Sequence, residues 1–274
     1  MTLRLALTLT LILSFAGILL AEKDSKKGAQ GPAQFFDDGA FRKTQTDRGR
    51  ALQAKGRLVD VRELAKQLER GSARLSLPEA AASASPHSLR DIYRECSQSV
   101  FSIAEVRLCD GCGKIHVTPY GTGFAITADG VLLTSRHLIT ELDASSQLIA
   151  SNPGGNTYPV VEVLASSERD DAAVIRIDGS GFKPLPLSPE NFTGTRVAVI
   201  SNPRGHLYSL SEGIVTRLFT QFSTRHMLIS AEYATGSSGA PVIDASGNVV
   251  GMVALTSALN DQMILRGCIP SQSL

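Results

Sequence analysis

A serine acts as a nucleophile where its hydroxyl stands clear of the chain, a base is within reach, and backbone N–H groups face the negative charge it creates. The stretch Thr235-Gly236-Ser237-Ser238-Gly239-Ala240-Pro241 has the composition for this. Gly236 precedes Ser238 by two residues and Gly239 follows it directly, so the backbone can turn sharply and bring amides close. Gly-Ser runs are ordinarily plain turns, and the stretch gains meaning only if a base and an orienting acid stand elsewhere. His137 directly follows Val131-Leu132-Leu133-Thr134-Ser135-Arg136, and Asp171 directly precedes Ala172-Ala173-Val174-Ile175-Arg176-Ile177. Both are strand ends, where rigid backbone holds a side chain still and leaves its tip open.

The chain order His137, Asp171, Ser238 is that of the chymotrypsin-type triad, whereas subtilisin-type enzymes and α/β-hydrolases run in other orders. Neighbours compete for each role. Asp170 adjoins Asp171, but strand alternation lets only one face a cleft, and Asp170 reads as a solvated turn residue. Ser237 adjoins Ser238, and only Ser238 precedes Gly-Ala-Pro. His116, His206 and His226 read as surface or structural residues, with His206 the one that could line a cleft.

The elements that must position these residues are strands. Phe124-Ala125-Ile126-Thr127 and Val131 to Thr134 flank Ala128-Asp129-Gly130, a hairpin on an Asp-Gly turn. Val100–Val106, Val160–Leu164, Ala172–Ile177, Arg196–Ile200, Gly213–Leu218, Met227–Ala231, Val242–Asp244 and Val249–Val253 are further strands. Short strands at near-regular spacing indicate an all-β barrel or sandwich. With 43% hydrophobic and 19% charged residues, 24 glycines and no tryptophan, the composition is that of a globular, turn-rich chain. A net charge of +1 gives no reason to expect a nucleic-acid partner.

The N-terminus reads differently. A basic start at Arg4, an apolar run Leu5–Leu20 and the small residue Ala21 describe a signal peptide over residues 1–21, with an uncleaved membrane anchor as the alternative. Residues 22–57 are polar with little periodicity and read as a flexible linker. Val59–Arg70 carries apolar residues at 61, 64, 65 and 68, the spacing of an amphipathic helix. Leu75–Pro86 is an Ala/Ser/Pro linker, and Ser88–Cys96 is a short helix leading into the first strand. These signals divide the chain into residues 1–21, a partly helical and flexible segment 22–87, and a domain over 88–274.

Six motifs in order make a family resemblance. Gly121-Thr122-Gly123-Phe124 through Leu133-Thr134-Ser135-Arg136-His137, Asp171-Ala172-Ala173-Val174-Ile175, Ser201-Asn202-Pro203-Arg204-Gly205, Ser211-Glu212-Gly213-Ile214-Val215, Gly236–Pro241 and Gly267-Cys268-Ile269-Pro270 resemble trypsin-like serine peptidases of the bacterial HtrA type. The likeness covers about residues 97–271. It implies two six-stranded antiparallel β-barrels with the active site between them. It further implies Ser238 as nucleophile, His137 as general base and then acid, Asp171 as orienter, and the N–H groups of Gly236 and Ser238 as oxyanion hole. The expected activity is serine endopeptidase on protein or peptide substrates, exported to the periplasm or beyond, with no cofactor and with the oligomeric state open.

Several residues depart from that pattern. Arg136 stands before His137 where alanine is usual, Ser237 where asparagine is usual, and Ala240 where glycine is usual. No Ile-Val-Gly-Gly-like sequence supports activation by cleavage, and a protease domain without the family's PDZ module is expected. The pocket walls are expected from residues 230–235 and 252–256, with Glu232 as an acidic floor favouring Lys or Arg and Tyr233 beside it. Cys109-Asp110-Gly111-Cys112 has the spacing of a disulfide pair or half a zinc knuckle, and zinc would require Cys96, Cys268 or His116 to converge on it. In an exported chain the expectation is a disulfide and no metal, with Cys268 a buried free thiol. The alternatives are a catalytically silent trypsin-fold scaffold, blocked by Arg136 or the loops, and a metal-binding module built on the Cys pair.

Overall fold

The computed structural model describes residues 35–80, 86–259 and 263–274, leaving aside the side chains of 258 and 259. The signal-peptide reading of residues 1–21 lies outside the described residues. Strands β1 (Val100–Leu108), β2 (Ile115–Ala125), β3 (Val131–Ser135), β4 (Gln147–Ser151), β5 (Thr157–Ser167) and β6 (Ala172–Ile177) close one antiparallel barrel in the order β1-β2-β3-β6-β5-β4. Strands β7 (Arg196–Ser201), β8 (Ser209–Gln221), β9 (Thr224–Ile229), β10 (Pro241–Asp244), β11 (Val249–Leu259) and β12 (Met263–Pro270) close a second in the order β10-β11-β12-β9-β8-β7. The fold is therefore all-β with two six-stranded barrels.

Period-two alternation explains both the barrels and their union. In the first barrel Phe101, Ile103, Leu132, Leu148, Val160 and Ile175 point inward. Their neighbours Val100, Phe124, Ile126, Val131 and Leu133 point outward, yet they are buried against the outward faces of Ala198, Ile200, Ile243 and Met252 from the second barrel. That barrel fills its own interior with Val197, Val199, Val215, Met227, Val242 and Val250. The strands facing the partner barrel thus read as continuous apolar runs because both of their faces are covered. Each fully buried side chain of this size contributes about 1.5–3 kcal/mol before entropy is counted.

The Asp-Gly turn forms as expected. Gly130 has φ +92°, and an added Cβ would lie 2.6 Å from the Gly179 carbonyl. The Thr127 hydroxyl binds the Asp129 carboxylate and accepts the Val131 N–H at 3.1 Å.

The segment expected as a linker contains a helix instead. Helix α1 (Asp38–Ala54) is capped by Asp37, whose carboxylate accepts the Ala40 N–H at 2.9 Å. Its inward stripe is Phe41, Gln45 and Gly49, at i, i+4 and i+8. Phe41 packs edge-on to Tyr208, with ring centroids 5.6 Å apart. Gln45 donates to the hydroxyls of Ser102 and Ser151 at 3.4 and 3.1 Å. Gly49 sits so close that an added Cβ would lie 3.0 Å from Val117 and 3.1 Å from Ile149. A glutamine and a glycine on the buried stripe hide it from a search for apolar periodicity. The helix expected over 59–70 is shorter, α2 (Val61–Ala65), with Val61 and Leu64 buried. Helix α3 (Leu89–Cys96) is capped by Ser88 as expected. The structure makes no division at residue 87, because Asp37–Leu274 form one unit.

If α1 is part of the fold, Phe41→Ala removes a buried aromatic and should cost about 3 kcal/mol or more. The check is a lower urea midpoint at unchanged slope; an unmoved midpoint would restore the linker reading.

Candidate active site

Pairing of β3 with β6 sets Ser135 opposite Ala172, which brings the residues just beyond these strand ends together. His137 opens the short helix α4 (His137–Thr140), and Asp171 occupies the turn before β6. Asp171 has φ +48°, a left-handed conformation that aspartate tolerates better than most residues. Its carbonyl accepts the Arg136 N–H at 3.0 Å. Its carboxylate then meets His137 twice, Oδ1 accepting the backbone N–H at 2.9 Å and Oδ2 lying 2.6 Å from Nδ1. A carboxylate only accepts, so Nδ1 carries the hydrogen and Nε2 is left as the ring's acceptor. The hydrogen bond from Asp171 raises the His137 pKa above its ordinary value, against the lowering effect of burial and with further help from the charges of Asp171 and Glu141. The Arg136 guanidinium lies 3.5 Å from the Glu168 carboxylate.

The two serines of the Gly-rich loop have separate fates. Ser237 is fully buried and donates to Ser201 Oγ at 3.0 Å, a structural role. Ser238 is half-buried, and its hydroxyl has no hydrogen-bond partner among the described residues. His137 Nε2 likewise has none there.

Peptide planarity fixes where the loop's N–H groups point, because each lies opposite the carbonyl of the preceding residue. The Thr235 carbonyl accepts the Arg204 N–H at 2.7 Å, which turns the Gly236 N–H the other way. The Ser237 carbonyl accepts the Ala240 N–H at 2.9 Å, which does the same for the Ser238 N–H. Among the described residues neither the Gly236 nor the Ser238 N–H has an acceptor, while those of Ser237 and Gly239 bond to Ala234 and Val253. Gly236 adopts φ +93°, and a Cβ there would lie 2.6 Å from the Asn202 carbonyl. A Cβ on Gly239 would strike the Thr122 carbonyl and lie 2.6 Å from Thr134 Oγ1, so the loop abuts the first barrel.

Thr122, read in the sequence only as part of a Gly-Thr-Gly motif, links the two barrels at the Gly-rich loop. Its hydroxyl donates to the Gly236 carbonyl at 2.8 Å and accepts Asn202 Nδ2 at 3.0 Å, and its N–H donates to the Ser238 carbonyl at 3.0 Å. Beside Gly236 a cavity of about 280 Å³ is lined by residues of both barrels and by Arg42 of α1, whose guanidinium donates to the Gly205 carbonyl at 2.6 Å.

Several expected roles move. Glu232, expected as a pocket floor, has a side chain that is 83% exposed and lies 3.3 Å from the Arg266 guanidinium, whose own side chain is only 17% exposed. Tyr233 turns away into the second barrel, donating from its hydroxyl toward the carbonyls of Leu255 and Gly267 at 2.9 and 2.8 Å. Asp170 is buried rather than solvated, with Oδ2 bound by the Ser167 hydroxyl at 2.7 Å. His206 is exposed, and His226 stacks on Phe219. All four cysteines are free thiols, so the expected Cys109–Cys112 disulfide is not formed; Cys268 is a buried thiol as expected, its pKa pushed up to about 12 by burial.

The trypsin-like peptidase domain model matches residues 121–252. The chain is 26% identical over 219 residues to a probable periplasmic serine endoprotease, DegP-like, of Ectopseudomonas mendocina, covering 74% of this chain and 45% of that one. It is 24% identical over 223 residues to the pro-apoptotic serine protease nma111 of Aspergillus terreus, covering 75% of this chain and 21% of that one. The chain thus spans less than half the length of these relatives. The HtrA-type protease AlgW with decapeptide superposes with a TM-score of 0.60 at 20% identity, covering 68% of this chain and 65% of AlgW, a likeness of fold.

Since Asp171 is the main cause of the raised His137 pKa, the ring should titrate above the ordinary imidazole value and Asp171→Asn should lower its midpoint. An NMR pH titration of the His137 ring resonances checks this; equal midpoints in both proteins would refute the assignment.

Proposed function

We propose that this chain, a relative of the HtrA-like trypsin-fold serine peptidases, is a serine endopeptidase in which Ser238 attacks, His137 carries the proton and Asp171 orients the ring. The observation that carries the reading is the Asp171 carboxylate bound to both N–H groups of His137, 2.9 and 2.6 Å away. Ser238 Oγ attacks the scissile carbonyl as His137 Nε2 takes its proton. The resulting oxyanion accepts from the Gly236 and Ser238 N–H groups, whose alignment is set before substrate arrives. His137 then gives the proton to the leaving amine, an ester on Ser238 remains, and a water deprotonated by His137 releases it. A resting site in which Ser238 and His137 are not yet bonded is compatible with this, since such bonds tighten when substrate is bound.

Arg136 does not support the silent-scaffold reading, because its charge is directed to Glu168. In this proposal the catalytic residues lie within residues 88–274, and the chain from Asp37 onward packs with them as one unit. The apolar run Leu5–Leu20 and a relative named as periplasmic support export. Substrates are proteins or peptides, bound in the cleft between the barrels. Glu232, exposed and paired with Arg266, supplies no buried negative charge for a Lys or Arg side chain.

A fluorophosphonate probe should add covalently to the protein at Ser238, and Ser238→Ala should abolish the adduct; labelling that persists in the variant would sink the proposal. Gly236→Ala forces a Cβ onto the Asn202 carbonyl and turns one oxyanion donor aside. It should lower kcat on a peptide substrate about 100-fold or more with little change in KM. In a peptide-library digest, Glu232→Ala should leave the residue preference at the cleavage point unchanged, whereas lost preference for Lys or Arg would reinstate it as a pocket floor.

A further inference from the structure

The hairpin tip between β1 and β2 carries three groups that the proposed peptidase chemistry does not use. Cys109 and Cys112 lie in the turn, and His116 lies on β2, paired with Arg107 across the hairpin. Their ligand atoms all fall within 4.8 Å of one another, and Cys112 Sγ is 3.2 Å from His116 Nε2. A tetrahedral zinc ion with ordinary bond lengths separates two sulfurs by roughly 3.8 Å and sulfur from nitrogen by roughly 3.5 Å. The three donors are therefore close enough together to share one such ion, with Cys112 and His116 already 3.2 Å apart.

The backbone around the tip is braced by hydrogen bonds. The Cys109 N–H donates to the Lys114 carbonyl at 2.9 Å and the Gly113 N–H to the Cys109 carbonyl at 2.8 Å, with Gly113 at φ +64°. Cysteine binds a metal as the thiolate. The base of the hairpin is braced as well, since Arg50 of α1 donates to the Ile115 carbonyl through Nε and Nη2 at 3.2 and 3.0 Å.

We propose that Cys109, Cys112 and His116 bind one zinc ion at the tip of this hairpin, with water in the fourth position. Two thiolates and an imidazole are a donor set that zinc accepts and that magnesium or calcium does not. Binding releases the two thiol protons, so affinity falls as pH is lowered. The ion clasps the turn to β2, the strand that runs on to Thr122 and the Gly236 carbonyl. A bound metal also withholds both sulfurs from oxidation to a disulfide.

The full chain, purified with a non-chelating reductant, should carry one zinc per chain by elemental analysis. Cys112→Ser and His116→Ala should each lose the bound zinc while keeping the wild-type circular dichroism spectrum, since all three side chains lie at an accessible tip. Cobalt added to the metal-free, reduced protein should give thiolate charge-transfer bands and the intense visible bands of tetrahedral coordination. Metal-free protein that binds no cobalt in this way would overturn the proposal. Native protein found with a Cys109–Cys112 disulfide and no zinc would overturn it equally.

Discussion

The rest of the site depends on one carboxylate holding one histidine by two hydrogens. Asp171 binds the backbone N–H of His137 with one oxygen and Nδ1 with the other, which fixes the ring's position, its tautomer and its readiness to take a proton at once. The geometry comes from the sheet. Ser135 pairs with Ala172, Arg136 donates to the Asp171 carbonyl, and the chain turns through a left-handed aspartate so that the carboxylate returns over α4. An isolated ion pair this accessible would contribute little to stability. Its value lies in orientation, and a left-handed non-glycine residue is the kind of local strain that a surrounding sheet can sustain.

The second barrel supplies the other half by backbone rather than by side chain. Its Gly-rich loop has every carbonyl from Thr235 to Ser238 engaged, by Arg204, Thr122, Ala240 and Thr122 again. With the carbonyls turned aside, the Gly236 and Ser238 amides are left aimed elsewhere, unpaired among the described residues. Two of those four bonds come from Thr122 in the first barrel, so the joint between barrels and the alignment of the loop are one structural fact. The apolar interface built from Phe124, Ile126, Leu133, Ile200, Ile243 and Met252 keeps that joint closed.

Much of this was legible in sequence wherever a local signal matched the fold. The strand-end positions of His137 and Asp171 could be read because strands announce their ends, and Ser238, half-buried, was separated from the buried Ser237 by its place before Gly-Ala-Pro. Short strands at near-regular spacing marked an all-β barrel or sandwich, and two closed barrels are what forms. What escaped was whatever depends on partners far away in the chain. Helix α1 was hidden because Gln45 and Gly49 fill its buried stripe, one for two distant hydroxyls and one for close approach. Glu232 was assigned inward from its distance to Ser238, but its side chain is exposed and lies 3.3 Å from the Arg266 guanidinium. Asp170 was read as solvated, although Ser167 and Arg169 cover it. The cysteine spacing left a disulfide and a zinc site both open, and it is the hairpin register that sets His116 Nε2 3.2 Å from Cys112 Sγ.

If Asp171 governs the tautomer of His137, replacing it by asparagine has a defined consequence. The amide oxygen stays on the His137 N–H, the amide N–H₂ faces Nδ1, and the ring must then carry its hydrogen on Nε2, where it cannot accept from Ser238. The direct measurement is the pH dependence of the acylation rate of Ser238 by a fluorophosphonate, in the native chain and in Asp171→Asn. The native rate should rise with pH through a midpoint above the ordinary imidazole value, and the variant should fall by about 10³- to 10⁴-fold near neutral pH. Equal rates and coincident profiles in the two proteins would contradict the account.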